Sequence, residues 1–114
     1  MAAAEAGLQV ATHTWNDAVA LVANMHLIAS LANGITVEVD RTGNPFVDEL
    51  LVKPLVVHDG EIALPAGPGL GIQLDEEVVD RYTLPPGASI PDGNYSDLVF
   101  GRGQYVTLPP YGAT

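Results

Sequence analysis

Three side chains near two apolar runs are the candidates for chemistry in this sequence: His13, Trp15 and Glu38. An imidazole titrates near neutral pH, so His13 can accept a proton as a general base and return it as a general acid. Trp15 lies next to this base in sequence, and Glu38 is the only charged residue in the run 35–39. The structural alternatives are a loop histidine, a packing tryptophan and a solvent-facing carboxylate.

The remaining polar motifs favour structural roles. The segment Gly67–Gly71 lacks the Lys-Ser/Thr ending of a phosphate loop and precedes no long helix, so it predicts a turn. The acidic residues of 75–80 and 92–97 do not have the spacing of an EF-hand, and the first group favours a solvated helix face. His26 lies inside an apolar run, which predicts a hydrogen-bonded core residue, and His58 precedes a turn, which predicts an exposed one.

Composition and charge limit the classes of partner. The 114 residues suffice for one domain of ordinary size. Four Lys and Arg residues against fourteen Asp and Glu residues give a formal charge of -10, which repels phosphate backbones and anionic lipid. The chain has no cysteine, so no disulfide or thiolate metal site is expected. The apolar stretch 18–32 is shorter than the ~20 residues of a bilayer span, and a cytoplasmic location is the default expectation.

Two strands are predicted to hold the candidate residues at one edge of a sheet. Alternating apolar and polar residues predict strands over 8–13 and 35–40. His13 and Glu38 lie near the C-terminal ends of these strands. Ligands of α/β folds bind at that end of the sheet, so the two side chains are placed where a site is expected.

A helix is predicted between the two strands. Asn16 suits its N-cap, the helix then begins beside Trp15, and apolar residues continue to Ala32 on most of its circumference. Asn33-Gly34 suits a left-handed stop. A strand, a helix and a strand of this size form a βαβ unit, normally with a right-handed crossover between parallel strands.

Shorter elements are predicted in the second half. Residues 46–51 suit a helical turn, and Asp59-Gly60 between two apolar runs predicts a hairpin over 55–64. Asp75 suits the N-cap of a helix over Glu76–Tyr82, which has acidic residues in its first turn.

An ordered series of short motifs runs through residues 8–82. They are His13-Thr-Trp15, Val37-Glu-Val-Asp40, Gly43-Asn-Pro45, Asp48-Glu-Leu-Leu51, Pro54-Leu55, Asp59-Gly60, Leu64-Pro65, Gly67-Pro-Gly-Leu-Gly71 and Leu74-Asp-Glu76. Each motif alone is weak. In this order and spacing they resemble the C-terminal end of an enolase-superfamily enzyme of the mandelate racemase/muconate lactonizing type.

The resemblance implies an α/β fold, namely the C-terminal piece of a (β/α)7β TIM-like barrel with the last two strands and the helix between them. Residues 1–45 would then end the barrel domain. Residues 46–84 would form a hairpin and short helix associated with the capping domain, and residues 85–114 an irregular Pro/Gly-rich tail. A whole barrel needs ~250 residues, so we expect the chain to be a C-terminal fragment that is inactive alone.

The resemblance also implies roles for the candidate residues. His13 falls where the racemase-like subgroup carries its histidine base, and Glu38 where that subgroup carries an acid that hydrogen-bonds the developing enolate. A carboxyl group kept protonated in a dry site can make that bond. Trp15 would contact the substrate. The base removes the α-proton of a carboxylate bound to Mg²⁺, whose ligands are expected in upstream strands and not in this chain.

Two classes of function remain from the sequence. Within the family that the sequence resembles, a histidine base implies an acid-sugar dehydratase, which is a lyase, or a racemase, which is an isomerase. The alternative is a non-catalytic α+β fragment or interaction module. Both predict that helix residues Leu21, Val22, Met25, Ile28 and Leu31 stay partly uncovered, and such patches favour self-association or pairing with a missing N-terminal part.

Overall fold

The computed structural model describes residues 2–87. The chain divides after Thr83 into two units, and residues 1–83 form the first. The expectations for the acidic residues of 92–97 and for most of the tail lie outside the described residues. The first unit is a mixed α/β structure with a parallel strand pair, one long helix, an antiparallel hairpin and three short helices.

The predicted βαβ unit is confirmed. Strand β1, Val10–Thr12, pairs in parallel with strand β2, Gly34–Val37, and helix α2, Ala18–Ala29, connects them. Both strands are shorter than the alternating pattern predicts. The pairing is irregular between Val10 and Ala11, where the register shifts by one residue. A four-residue helix α1, Ala2–Glu5, which the sequence did not predict, precedes β1.

The limits of helix α2 differ from the prediction at both ends. Its N-cap is Asp17 rather than Asn16, because the Asp17 carboxylate accepts the Ala20 N–H at 2.8 Å. The helix ends at Ala29 rather than Ala32, and the N–H of Ser30 caps it by donating to the His26 carbonyl.

Gly34 does not provide the predicted left-handed stop, because its φ is not positive. A Cβ atom at Gly34 would lie 2.5 Å from the Ile28 carbonyl oxygen. The glycine is therefore needed for the close approach of β2 to the end of α2. Asn33 instead joins the starts of the strands, since its side-chain amide donates to the Leu8 carbonyl at 2.7 Å.

One face of α2 forms the core. Leu21, Val22 and Met25 are buried, which corrects the expectation that they stay partly uncovered. Ile28 and Leu31 are half-buried. The residues that cover this face of α2 come from the strands and from segments later in the chain. Partly buried apolar residues pack on this core: Val37, Val39, Leu55, Ile62, Leu70 and Ile72.

The second half follows the predicted elements. Helix α3, Pro45–Asp48, is capped by Asn44, and helix α4, Glu76–Tyr82, is capped by Asp75. Strands β3, Val57–His58, and β4, Glu61–Ile62, form the predicted antiparallel hairpin.

The hairpin turn and the glycine loop have the expected backbone. Asp59 and Gly60 both have positive φ, 51° and 79°, as a type I′ turn requires. Positive φ values at Gly67, Gly69 and Gly71 confirm that their segment is a turn. In the described part of the chain, no helix is long and apolar enough to cross a membrane.

Candidate active site

The strand register brings His13 and Glu38 together. Thr12 at the end of β1 is the partner of Val37 at the end of β2, so the next residue of each strand lies side by side. The Nδ1 atom of His13 lies 2.5 Å from Oε2 of Glu38, which is a hydrogen bond between the two side chains. The predicted juxtaposition of the two polar residues at the strand ends is therefore present.

A backbone donor also holds Glu38. The N–H of Thr14 donates to the same Oε2 atom at 3.0 Å. Thr14 is buried, while His13 before it and Trp15 after it are exposed. The buried residue thus anchors the segment, and the two candidate side chains on either side of it face outward.

These two donors lower the pKa of Glu38. The hydrogen bond from His13 is the larger cause, the Thr14 N–H adds to it, and partial desolvation opposes both. Glu38 is therefore an ionised acceptor at neutral pH in this chain. The protonated carboxyl group that the resemblance implies belongs to a dry site in a complete enzyme, and that role stays a prediction.

The site is open to solvent. The side chains of His13 and Glu38 are 80% and 56% exposed, and Trp15 is 57% exposed. A groove of about 600 Å³ runs along the hairpin and the glycine loop, and one of about 380 Å³ lies between α2, β2 and the hairpin. None of the three residues lines either groove. No part of residues 2–87 encloses a substrate at the strand ends.

His58 is exposed as predicted, and His26 makes its predicted hydrogen bond but is not part of the buried core. His26 on α2 is half-buried, and its Nε2 lies 3.1 Å from the Leu70 carbonyl oxygen, to which it donates. His58 is exposed beside Asp59, with Nδ1 3.3 Å from Oδ2. Neither residue lies at the ends of the parallel strands.

One contact at the site was missed by the sequence analysis. Asn44 Nδ2 donates to the carbonyl oxygen of Asn16 at 2.8 Å, which joins the loop after β2 to the loop after β1. In the sequence, Asn44 precedes Pro45, and this pair is a common start for a short helix. Nothing in that local pattern shows which distant carbonyl the amide reaches.

The residues present do not fit a Mg²⁺ site. Within residues 2–87, no three His, Asp or Glu side chains lie close enough together to hold a metal ion. In the acidic cluster at the start of α4, Asp75 is the helix cap, because its Oδ1 accepts the Glu77 N–H at 3.0 Å. No chemical step through a metal follows from this chain.

Comparison with known families identifies the family of this chain. The family model for enolase C-terminal domain-like proteins matches residues 1–78. The chain therefore belongs to the enolase superfamily, in agreement with its motifs.

Three relatives illustrate the relationship. D-galactarolactone cycloisomerase of Agrobacterium fabrum is 31% identical over 87 residues, covering 69% of this chain and 23% of the relative. Muconate cycloisomerase 1-1 of Acinetobacter lwoffii is 46% identical over 63 residues, covering 54% of this chain and 16% of the relative. A crystal structure assigned as a mandelate racemase from Bordetella bronchiseptica RB50, complexed with 2-oxoglutarate/phosphate, matches with a TM-score of 0.67 and 33% identity.

The match covers only part of each relative. The alignment to the Bordetella structure covers 74% of this chain and 22% of that one. The chain thus spans about a fifth of the length of these proteins.

Proposed function

We propose that the chain contributes the proton-transfer residues of an enolase-superfamily enzyme that removes the α-proton of a carboxylate substrate. The observation that carries this proposal is the His13–Glu38 hydrogen bond at the C-terminal ends of two parallel strands. Ligands of α/β folds bind at this edge. The rest of the site, including its Mg²⁺ ligands, would come from the remainder of a longer protein, since members of this superfamily generally use Mg²⁺.

His13 acts as the base through Nε2 in this proposal. Its Nδ1 is occupied by Glu38, so an imidazole with its proton on Nδ1 leaves the Nε2 lone pair for the α-proton. The electrons of the broken C–H bond form the enolate. Glu38 holds the tautomer and stabilises the imidazolium that results, which is the role a carboxylate plays beside other catalytic histidines.

The preferred reaction is dehydration of an acid sugar. After α-proton removal, the β C–O bond breaks and the proton on His13 returns to the departing hydroxide, so one water leaves and the enol becomes a 2-keto acid. Trp15 is exposed two residues from the base, and in this proposal its ring contacts the sugar-acid chain. The name of the Agrobacterium relative, a galactarolactone cycloisomerase, supports a sugar-derived substrate.

Cycloisomerisation is the second candidate, because two of the relatives are named cycloisomerases. The two reactions share the transfer of a proton at the carbon next to the carboxyl group. They differ in the product, since dehydration releases water and isomerisation conserves the mass of the substrate. A racemase would also conserve mass but invert the α-carbon.

The first experiment combines intact mass with activity. The polypeptide that contains this chain is isolated from its source, its mass is measured, and it is incubated with Mg²⁺ and a library of acid sugars and lactones in D₂O. We expect a mass several times that of this chain and a 2-keto acid product with solvent deuterium at C3, because its α-carbon is the carbonyl carbon. Recovered substrate should carry deuterium at the α-carbon, from reversal of the proton removal. His13→Asn should abolish α-proton exchange, and His58→Asn, which alters an exposed histidine away from the site, should not.

Glu38→Gln separates the two possible roles of the carboxyl group. A glutamine still donates to an enolate oxygen, so a protonated-acid role would survive the substitution. An acceptor role for His13 Nδ1–H would be weakened, and we expect a large loss of kcat. A native protein with the mass of this chain and no exchange activity would overturn the enzymatic proposal and favour the non-catalytic module.

A further inference from the structure

The backbone of residues 13–17 is bonded to the β2 side of the molecule at two points. At its start, the Thr14 N–H donates to Glu38 at 3.0 Å. Near its end, the Asn16 carbonyl accepts the Nδ2 amide of Asn44 at 2.8 Å. Trp15 lies between the two ties. The orientation of both exposed candidate side chains therefore depends on contacts that cross from one strand to the loop after the other.

Asn44 uses both ends of its side-chain amide. Its Oδ1 accepts the Phe46 N–H at 3.0 Å, which caps helix α3. Its Nδ2 makes the cross-loop bond to Asn16. Capping alone is satisfied by serine or aspartate as well as by asparagine. The second bond requires a donor at the reach of the amide, so the two functions of this residue can be separated by substitution.

The bond between Asn44 and Asn16 lies where it can affect the orientation of the site residues. Asn16 immediately precedes Asp17, whose carboxylate fixes the first turn of α2 by accepting the Ala20 N–H. The loop that carries Asn44 is itself shaped by a turn in which Asp40 Oδ1 accepts the Thr42 N–H at 2.8 Å. The hydrogen bonds from His13 and Thr14 to Glu38 join the other end of this segment to β2.

We propose that Asn44 is a positioning residue that keeps His13 and Glu38 in register by fixing the 13–17 segment. Its relevance to proton transfer rests on the proposed function, whereas its effect on the segment is a property of the chain alone. Loss of the Nδ2 donor frees the Asn16 end of the segment, and the Thr14–Glu38 bond then opens more often. His13 adopts its orienting bond to Glu38 for a smaller fraction of the time.

Amide hydrogen exchange of the full chain tests this. In Asn44→Ser, which keeps a neutral cap for α3, we expect the Thr14 amide to exchange roughly tenfold faster, the size of one lost hydrogen bond. The amide of Val10, which donates to the Asn33 carbonyl at the other end of β1, should be unchanged. Asn44→Asp also keeps the cap and lacks the donor, and its charge lies near the Asp40 carboxylate, so it should accelerate Thr14 exchange at least as much.

A matched control is Asn24→Ser. Asn24 makes a comparable bond, from its Nδ2 to the Ala20 carbonyl at 2.8 Å, but within helix α2, so the Thr14 amide should not respond. Unchanged Thr14 exchange in both Asn44 variants overturns the proposal. Equal acceleration of Thr14 and Val10 also overturns it, because that result shows general destabilisation. Selective acceleration of Thr14 supports positioning even if the longer protein lacks α-proton exchange, which would count only against the proposed function.

Discussion

The two sides of the βαβ unit are built differently. On the helix side, Leu21, Val22 and Met25 of α2 are buried against the strands and the segments after residue 50. At the strand ends, His13 and Glu38 meet through a hydrogen bond that is open to water. Both regions use residues from the same short stretch of chain.

The packed side stabilises the fold, whereas the strand ends carry the groups that can do chemistry. Burial of apolar side chains contributes about 1.5–3 kcal/mol for each large residue, and solvent does not compete for those contacts. An exposed histidine–carboxylate contact is screened and contributes little to folding. The packed side therefore holds the backbone in place, and the backbone register in turn places the two chemical groups together.

The largest effect is expected on the packed side. Leu21→Ala should lower the free energy of unfolding by about 3 kcal/mol, because it leaves a cavity in the core. Leu27→Ala in the same helix is the control, since Leu27 is 49% exposed and Leu21 only 2%. It should cost less than about 1 kcal/mol. Urea denaturation measures both values, and equal losses would contradict the assignment of the buried face.

A substitution at the helix–strand junction should have the next effect. Gly34→Ala places a methyl group against the Ile28 carbonyl and should destabilise the chain by about 2 kcal/mol, as overpacking does. Thr36→Ala, at an exposed position of the same strand, should change the stability by less than about 0.5 kcal/mol. A tolerated alanine at 34 would show that β2 does not need its close approach to α2.

The pKa of Glu38 should change when its hydrogen-bond partner is removed. His13→Ala removes the main cause of the lowered pKa of Glu38, so that pKa should rise toward its ordinary value, as followed by NMR of the side-chain carboxyl carbon. His58→Ala should leave it unchanged. Since the folded-state pKa is depressed, the stability from Glu38 is present above its unfolded-state pKa and is lost as pH falls through the folded-state value. A Glu38 titration unaltered by His13→Ala would refute the contact.

The smallest effect is expected for the exposed ion pair between Arg81 of α4 and Glu49, whose nitrogen and oxygen lie 2.9 Å apart. Arg81→Ala should lower the melting temperature slightly at low salt, and the difference should shrink at about 1 M salt, where exposed charges are screened. Arg41→Ala changes the net charge equally and tests for a general charge effect. A salt-independent loss would indicate packing of Arg81 on the ring of Tyr82.

Local patterns in the sequence were sufficient for several elements. Asp59-Gly60 predicted the hairpin because few other residue pairs adopt two positive φ angles, and Asp75 predicted the start of α4 because its carboxylate caps a free N–H. The N-cap of α2 was placed one residue early, since Asn16 and Asp17 are both good caps. Only the path of the chain from β1 decides between them.

The pairing of the site residues depended on more than local pattern. The sequence predicted that His13 and Glu38 lie at strand ends, but a shift of one residue in the register would place a different neighbour beside His13. The lowered pKa of Glu38 also depends on the donors that reach it, and one of these is the backbone of Thr14.

By itself the sequence determined the type of unit, its two parallel strands and connecting helix, the hairpin and the identity of the proton-transfer candidates. These follow from hydrophobic periodicity and turn chemistry, which act over a few residues. Only the tertiary structure decided which face of α2 is covered, that Gly34 serves close packing, and that Asn44 reaches Asn16. Those contacts join residues far apart in the chain, so they are set by how the elements pack and not by any local preference.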